Sequence, residues 1–176
     1  MLTLASKYST SHYEPLGRWI QNRAVSIWNA APDRFVKPLL SDRRFAFICG
    51  CGHSGTTLLA AKLGGHSNAF LIGRETNAFS PVFGANCSRR IVAEWVYFAQ
   101  AARKELIVEK TPKHIQSVSK IRRIIPDSKI LVTLRNPLDN IASLYNRFGN
   151  LEGAIARWLV DNRRVVELMD TDQIAL

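Results

Sequence analysis

The sequence predicts an α/β fold of three layers with a mostly parallel central sheet. From residue 45 onwards, short apolar runs alternate with longer amphipathic ones, and strands that alternate with helices form parallel sheets. Residues 129–134 are the clearest strand, and residues 45–49 form a second, buried-type strand that leads into a glycine-rich turn. A chain of 176 residues is one domain by length.

The other elements follow from apolar periodicity and helix stop signals. Further strands are predicted at residues 69–72 and 106–108. Helices are predicted at residues 15–28, 56–63, 91–104, 115–125, 138–148 and 151–169. We therefore expect an N-terminal helical or irregular segment over residues 1–44 and an α/β nucleotide-binding domain over residues 45–176.

Composition is typical of a soluble globular protein, with 47% hydrophobic and 22% charged residues. The longest apolar runs are far too short to cross a bilayer. The N-terminus has no continuous apolar stretch of the kind found in a signal peptide. The sequence therefore predicts no transmembrane segment and a cytoplasmic location.

The net charge of +10 indicates an anionic partner, either a nucleic acid, a phosphorylated nucleotide or an acidic polymer. Aromatic residues are not interleaved among the basic ones as a nucleic-acid stacking surface requires, so no nucleic-acid partner is predicted. Cys49-x-Cys51-x-His53 superficially resembles a metal cluster. No second ligand pair follows it, and no metal site is predicted.

The segment FICGCGHSGTTLLAAKL reads as a strand, a turn with three glycines and a helix that opens at two threonines. Glycines let a backbone approach a phosphate closely, and the first turn of a helix offers free N–H groups and the positive end of its dipole. The hydroxyls of Thr56 and Thr57 add donors at the same place. This segment predicts an anion-binding loop.

The glycine spacing of this loop fits two classes of nucleotide-binding protein. Gly50 and Gly55 have the Walker spacing, but Thr56 replaces the Walker lysine, and Arg135 follows the later strand where a magnesium-binding acid is expected. An NTPase is therefore disfavoured. The same glycines also fit G-x-G-x-x-G, and Glu75 lies 20 residues beyond Gly55, where a dinucleotide-binding fold has its ribose-binding acid. A Rossmann-type oxidoreductase stays open on this segment alone.

The chain contains, in this order, the segments GHSGTTLL, GRETN, VEKTPKH and LVTLRNPLDNIASLY. Together they resemble segments of sulfotransferases that use 3′-phosphoadenosine 5′-phosphosulfate (PAPS), particularly of the carbohydrate and protein-tyrosine branch. GHSGTTLL resembles the 5′-phosphosulfate-binding loop, and GRETN has Glu75 about where that branch carries a catalytic glutamate. VEKTPKH resembles a segment with a catalytic lysine, here Lys110. LVTLRNPLDNIASLY resembles the 3′-phosphate-binding motif, with Arg135 and, eight residues later, Ser143. The resemblance covers residues 45–145.

The resemblance implies a P-loop-containing nucleotide-hydrolase-like fold and transfer of a sulfuryl group from PAPS to a hydroxyl, most often on a carbohydrate. Glu75 would be the general base, and Lys110 would stabilise the charge that develops on the sulfuryl and leaving groups. The donor-binding residues would be Gly52, His53, Ser54, Gly55, Thr56, Thr57, Arg135 and Ser143. PAPS is the expected co-substrate, with no metal, and His114 is expected at a helix N-terminus. A nucleotide-binding chain without activity is the remaining alternative.

Two features depart from the family pattern. His53 occupies the position of a usual Arg or Lys, so its contact with the 5′-phosphate is expected to be weaker or pH-dependent. The sequence ends at Leu176, 33 residues after Ser143, and residues 172–176 resemble the start of a strand. We therefore expect a chain that is incomplete at its C-terminus. The sequence does not indicate an oligomeric state.

Overall fold

The structure, a computed structural model, describes residues 43–169 and Ile174. The predicted helix at residues 15–28 and the predicted strand start at residues 172–176, apart from Ile174, lie outside the described residues. The described strands are β1 Arg44–Gly50, β2 Ala69–Leu71, β3 Leu106–Lys110 and β4 Lys129–Thr133. The helices are α1 Thr56–Gly64, α2 Ala85–Ala101, the 3₁₀-helix Pro112–Ser117, α3 Val118–Ile124, α4 Pro137–Phe148 and α5 Leu151–Met169.

The strands form one parallel sheet in the order β2-β3-β1-β4. The chain moves from β1 outwards to β2 and then returns through β3 to β4 on the far side of β1. Parallel crossovers share one hand, so this reversal of direction requires helices on both faces of the sheet. The predicted three-layer α/β architecture with a parallel sheet is confirmed.

Alternation along β1 divides the core between the two faces. Phe45, Phe47 and Cys49 face a cluster built with α2, the 3₁₀-helix, α3 and the C-terminal half of α5. Ala46 and Ile48 face a smaller cluster with α1. Because both faces of β1 are covered, its sequence is a continuous apolar run instead of an alternating one. A third cluster joins Cys51 to α4 and α5 beside the glycine-rich loop.

The strand order excludes the dinucleotide-binding alternative. In that fold β2 pairs with β1, whereas here β3 lies between them. Glu75, which follows β2, is therefore separated from the glycine-rich loop by a whole strand. It cannot take the place of the ribose-binding acid of a Rossmann domain.

Several predicted bounds were wrong. The helix predicted at residues 115–125 is a 3₁₀-helix followed by the short α3. The helix predicted at residues 91–104 begins six residues earlier, at Ala85, and ends at Ala101. β3 continues two residues past its predicted end to include Glu109 and Lys110. β2 and β4 each end one residue earlier than predicted, at Leu71 and Thr133.

Candidate active site

The strand order gathers the predicted site residues into two groups at the carboxyl edge of the sheet. β1 lies beside β4, so the loop after β1 faces the segment that carries Arg135. β2 lies beside β3, so the segment with Glu75 faces Lys110, the last residue of β3. In open α/β sheets, ligands bind at this edge.

The phosphate loop, residues 51–55 between β1 and α1, is a turn closed by its own polar groups. The Ser54 hydroxyl donates to the Cys51 carbonyl at 2.6 Å and lies 2.6 Å from the Thr133 hydroxyl on β4. Gly55 (φ 103°) and His53 (φ 67°) adopt positive φ. Glycine does so without steric cost, and histidine is among the residues that tolerate this region best. Ser54 therefore shapes the loop from its buried side.

Helix α1 begins directly after the phosphate loop. Gly55 is its N-cap and has no side chain with which to cap the first turn, so the N–H groups of that turn are left to bind an anion. Thr57 is exposed, whereas Thr56 is 4% exposed and packs into the protein. Of the two predicted threonine hydroxyls, that of Thr57 is open to a ligand.

Residues around α4 hold the outer side of the phosphate loop. Asn140 Nδ2 donates to the Gly52 carbonyl at 2.8 Å, and Arg135 Nη1 donates to the His53 carbonyl at 3.1 Å. The Ser143 hydroxyl lies 2.9 Å from His53 Nδ1. Arg135 and Ser143, the two residues of the motif that resembles a 3′-phosphate site, therefore contact the loop directly. Asn140 was not predicted as a site residue. It is 1% exposed, and this burial results from tertiary packing.

His53 lies in a cationic environment. Partial burial of the imidazole, followed by the charges of Arg157, Arg147 and Arg135, lowers the pKa of His53 below its usual 6.5. The unfolded chain therefore takes up this proton at higher pH than the folded chain, and stability is lost as pH falls below 6.5 towards the folded-state pKa. At neutral pH the side chain is uncharged.

We expect His53 to strengthen nucleotide binding only in acid. Wild type and His53→Gln should bind adenosine 3′,5′-bisphosphate equally at about pH 8, and wild type should gain affinity relative to the variant as pH falls below the ordinary histidine pKa of 6.5. Protonated histidine then adds a charge that glutamine lacks. The measurement is the ratio of the two dissociation constants across pH, because titration of the phosphates cancels in that ratio. A ratio independent of pH would contradict this role.

The second group is an ion pair between the two predicted catalytic residues. Lys110 Nζ lies 2.7 Å from Glu75 Oε1, and the side chains are 16% and 50% exposed. Strong screening makes such a pair worth little to stability. The ion pair matters for position instead, because it holds a carboxylate and an ammonium side by side at the edge of the sheet.

A buried carboxylate next to Lys110 in sequence was not predicted. Glu109 is 1% exposed, and its Oε1 accepts from the hydroxyls of Thr76 at 2.9 Å and Thr111 at 2.5 Å. Its Oε2 lies 3.0 Å from His114 Nδ1, while His114 Nε2 accepts from the Phe79 N–H at 3.2 Å. His114 Nδ1 is therefore the donor to Glu109.

This network connects the segment after β2 to the end of β3. His114 is the third residue of the 3₁₀-helix, close to the N-terminus of a helix as predicted, and it is buried with both ring nitrogens bonded. Thr76, which hydrogen-bonds to Glu109, is the neighbour of Glu75 in sequence. The available signal was the acid at position 109 directly after the apolar run of residues 106–108.

The cysteine-histidine pattern does not form a cluster. Cys49 and Cys51 are buried and His53 is exposed. Burial raises the pKa of both thiols, that of Cys51 to about 11, so both remain protonated. Over residues 43–169 and at Ile174, no group of three His, Cys, Asp or Glu side chains is arranged to hold a metal ion. No helix in the same residues has the length and apolar character needed to span a bilayer.

The fold and the sequence agree on one class of protein. The fold is an α/β fold with a parallel sheet in the order β2-β3-β1-β4 and helices on both faces. A sequence profile of the sulfotransferase family matches residues 84–171, which is half of the chain. The chain belongs to the sulfotransferase family. The matched range contains Lys110, Arg135 and Ser143, and the phosphate loop and Glu75 precede it.

A solved structure supports the fold. The chain is similar to the sulfotransferase domain of the olefin synthase of Synechococcus PCC 7002, with a TM-score of 0.53 and 20% identity over 72% of this chain and 61% of that one. It is also similar to a Mycobacterium avium sulfotransferase, with a TM-score of 0.48 and 10% identity over 90% of this chain and 66% of that one. The chain thus spans less than two thirds of each. A comparison with curated protein sequences gave no match.

Proposed function

We propose that this protein binds PAPS and transfers its sulfuryl group to a hydroxyl acceptor. The observation that carries the proposal is the contact between the phosphate loop and the Arg135–Ser143 segment. PAPS has a 5′-phosphosulfate and a 3′-phosphate, and these two groups need neighbouring anion sites. The loop and the N-terminus of α1 would bind the first, and Arg135 and Ser143 the second.

The two groups at the sheet edge would divide the work of the reaction. Gly52 and Gly55 of the loop would offer backbone N–H groups to the 5′-phosphosulfate, and Thr57 of α1 would add a hydroxyl. Ser54 would act by shaping the loop, because its N–H and hydroxyl are bonded to Cys51 and Thr133. Thr56 would contribute through its backbone N–H. Arg135 has a planar guanidinium that can make a paired contact with the 3′-phosphate. Its bond to the His53 carbonyl also links the two sites.

Glu75 and Lys110 would carry the chemistry. The acceptor oxygen attacks the sulfur while the bond from sulfur to the 5′-phosphate oxygen breaks, and Glu75 takes the hydroxyl proton. Lys110 would donate to the sulfuryl and leaving phosphate oxygens, where negative charge grows. The 2.7 Å ion pair supports this division of roles, because two side chains in contact can reach the same reacting centre. The products are a sulfate ester and adenosine 3′,5′-bisphosphate, and we propose a carbohydrate as the acceptor.

Nucleotide binding tests the donor. Adenosine 3′,5′-bisphosphate should raise the melting temperature more than AMP does at equal concentration, because it fills both anion sites. A charge-assisted contact with the 3′-phosphate corresponds to about a tenfold to hundredfold difference in affinity. Arg135→Ala should remove most of this difference, and Arg123→Ala, which changes an exposed arginine of α3, should leave it intact.

These titrations are to be run in EDTA, because the proposed site uses side chains and backbone groups in place of magnesium. Equal shifts for the two nucleotides would remove the role given to Arg135. Binding that appears only with Mg²⁺ would contradict the proposed donor site. Binding of the bisphosphate without turnover of PAPS would favour an inactive nucleotide-binding chain.

A further inference from the structure

The phosphate loop has no permanent positive charge of its own. Residues 51–57 contain neither lysine nor arginine, and His53 is uncharged at neutral pH because its pKa is lowered. A phosphosulfate bound there carries negative charge at every physiological pH. Backbone N–H groups and the dipole of α1 offset part of it. A cation from another element would offset the remainder.

Arg157 of α5 lies directly against this loop. A Cβ atom built on Gly52 would be 2.6 Å from Arg157 Nη2 and 3.1 Å from Cζ. The guanidinium therefore covers the face that a side chain at position 52 would occupy. Of the three arginines that lower the pKa of His53, Arg157 has the largest effect.

The hydrogen-bonding capacity of this guanidinium is not fully used within the protein. Its nearest acid is Asp161, whose Oδ2 lies 3.8 Å from Nε, too far for a hydrogen bond. Nε is buried and lacks a hydrogen-bond partner in the described residues. Asp161 Oδ1 accepts from Gln116 at 3.0 Å.

Arg157 is nevertheless held in position. Its Cζ lies 5.9 Å from the centroid of the Phe148 ring, and the side chain is 30% exposed. Helix α5 packs against α4 through Ala154 and Trp158, on either side of Arg157 in sequence. The side chain is therefore placed against the loop before any ligand binds.

We propose that Arg157 is the cation of the phosphate loop and that its guanidinium contacts the 5′-phosphosulfate beside Gly52. The assignment rests on the proposed donor. It makes α5 part of the donor site and supplies from another helix the charge that position 53 lacks. It also gives two arginines different roles: Arg157 binds the 5′-phosphosulfate and Arg135 binds the 3′-phosphate of the same nucleotide.

The experiment compares Arg157→Gln with wild type by calorimetric titration of the full chain. The probes are AMP, adenosine 3′-monophosphate and inorganic pyrophosphate, at neutral pH. Arg157→Gln should bind AMP and pyrophosphate about tenfold to hundredfold more weakly. Its affinity for the 3′-monophosphate should remain within about twofold of wild type. Arg163→Gln removes an exposed arginine from the same helix and should match wild type with all three probes.

A second variant separates charge from folding. His53→Arg in the Arg157→Gln background returns a cation to the loop and should recover most of the lost affinity for AMP. Unchanged AMP binding in Arg157→Gln, equal losses for the two monophosphates, or no recovery in the double variant would overturn the assignment. If wild type does not prefer the 3′,5′-bisphosphate over AMP, the donor proposal fails. The pyrophosphate titration still tests Arg157 in that case, and wild-type failure to bind pyrophosphate would overturn its role too.

Discussion

Glu75→Gln is expected to lower the rate of sulfuryl transfer by about a hundredfold or more while donor affinity stays near that of wild type. A positioned general base contributes about 10²–10⁴ in rate, or roughly 3–5 kcal/mol of barrier. Glutamine keeps the shape of the side chain but cannot accept the acceptor proton. The ion pair with Lys110 at 2.7 Å makes this an informative exchange, because the amide oxygen can still hold the ammonium in place.

The measurement is kcat under saturating acceptor, together with the dissociation constant for adenosine 3′,5′-bisphosphate. Glu167→Gln is a matched control: Glu167 is 52% exposed and pairs with Arg164 at 2.8 Å, whereas Glu75 is 50% exposed. The control should leave both quantities unchanged. Wild-type turnover in Glu75→Gln would show that Glu75 is not the base. A parallel fall in donor affinity would indicate that the carboxylate positions the donor.

Glu109→Ala is expected to cost about 3–5 kcal/mol of folding free energy, because removal of a buried charged partner leaves its donors uncompensated. Thr76, Thr111 and His114 each lose a hydrogen bond to this carboxylate. A loss of this size is a large fraction of the roughly 5–15 kcal/mol that stabilises a typical domain. It corresponds to a fall in melting temperature of roughly 6–20 °C.

Urea unfolding measures this effect as a lower midpoint with an unchanged slope. Glu105→Ala is the comparison, since the Glu105 carboxylate accepts an exposed bond from Asn68 at 3.0 Å, and its loss should stay near the 0.5 kcal/mol or so of surface positions. Glu109→Gln should fall between wild type and Glu109→Ala, because one amide oxygen can still accept from the two threonines. A loss of less than about 1 kcal/mol in Glu109→Ala would contradict the network's role in stability.

The sequence predicted whether a segment is a helix or a strand wherever its apolar periodicity was clear. It did not predict the residues at which these elements begin and end. Ile115, Val118, Ile121 and Ile124 are buried at intervals of three residues, a spacing that fits a 3₁₀-helix as well as the buried face of an α-helix. The first turns of α2 contain mainly polar residues, so the pattern begins only at residue 91. β3 contains Glu109, and an acidic residue after an apolar run is typical of the end of a strand. Only its hydrogen-bond partners explain why the strand continues through it.

The sequence by itself determined the parallel α/β class and the positions of the glycine-rich turn and the Arg135–Ser143 segment after two of its strands. Each depends on residues close together in the chain, where spacing fixes which groups share a turn, a strand end or a helix face. Only the tertiary structure decided that Glu75 contacts Lys110. It also decided that Glu109 is buried and hydrogen-bonded, and that Arg157 covers Gly52. Such contacts depend on strand order and on which helix packs over the loop, and no local spacing encodes either, because they follow from burial of both faces of the whole sheet.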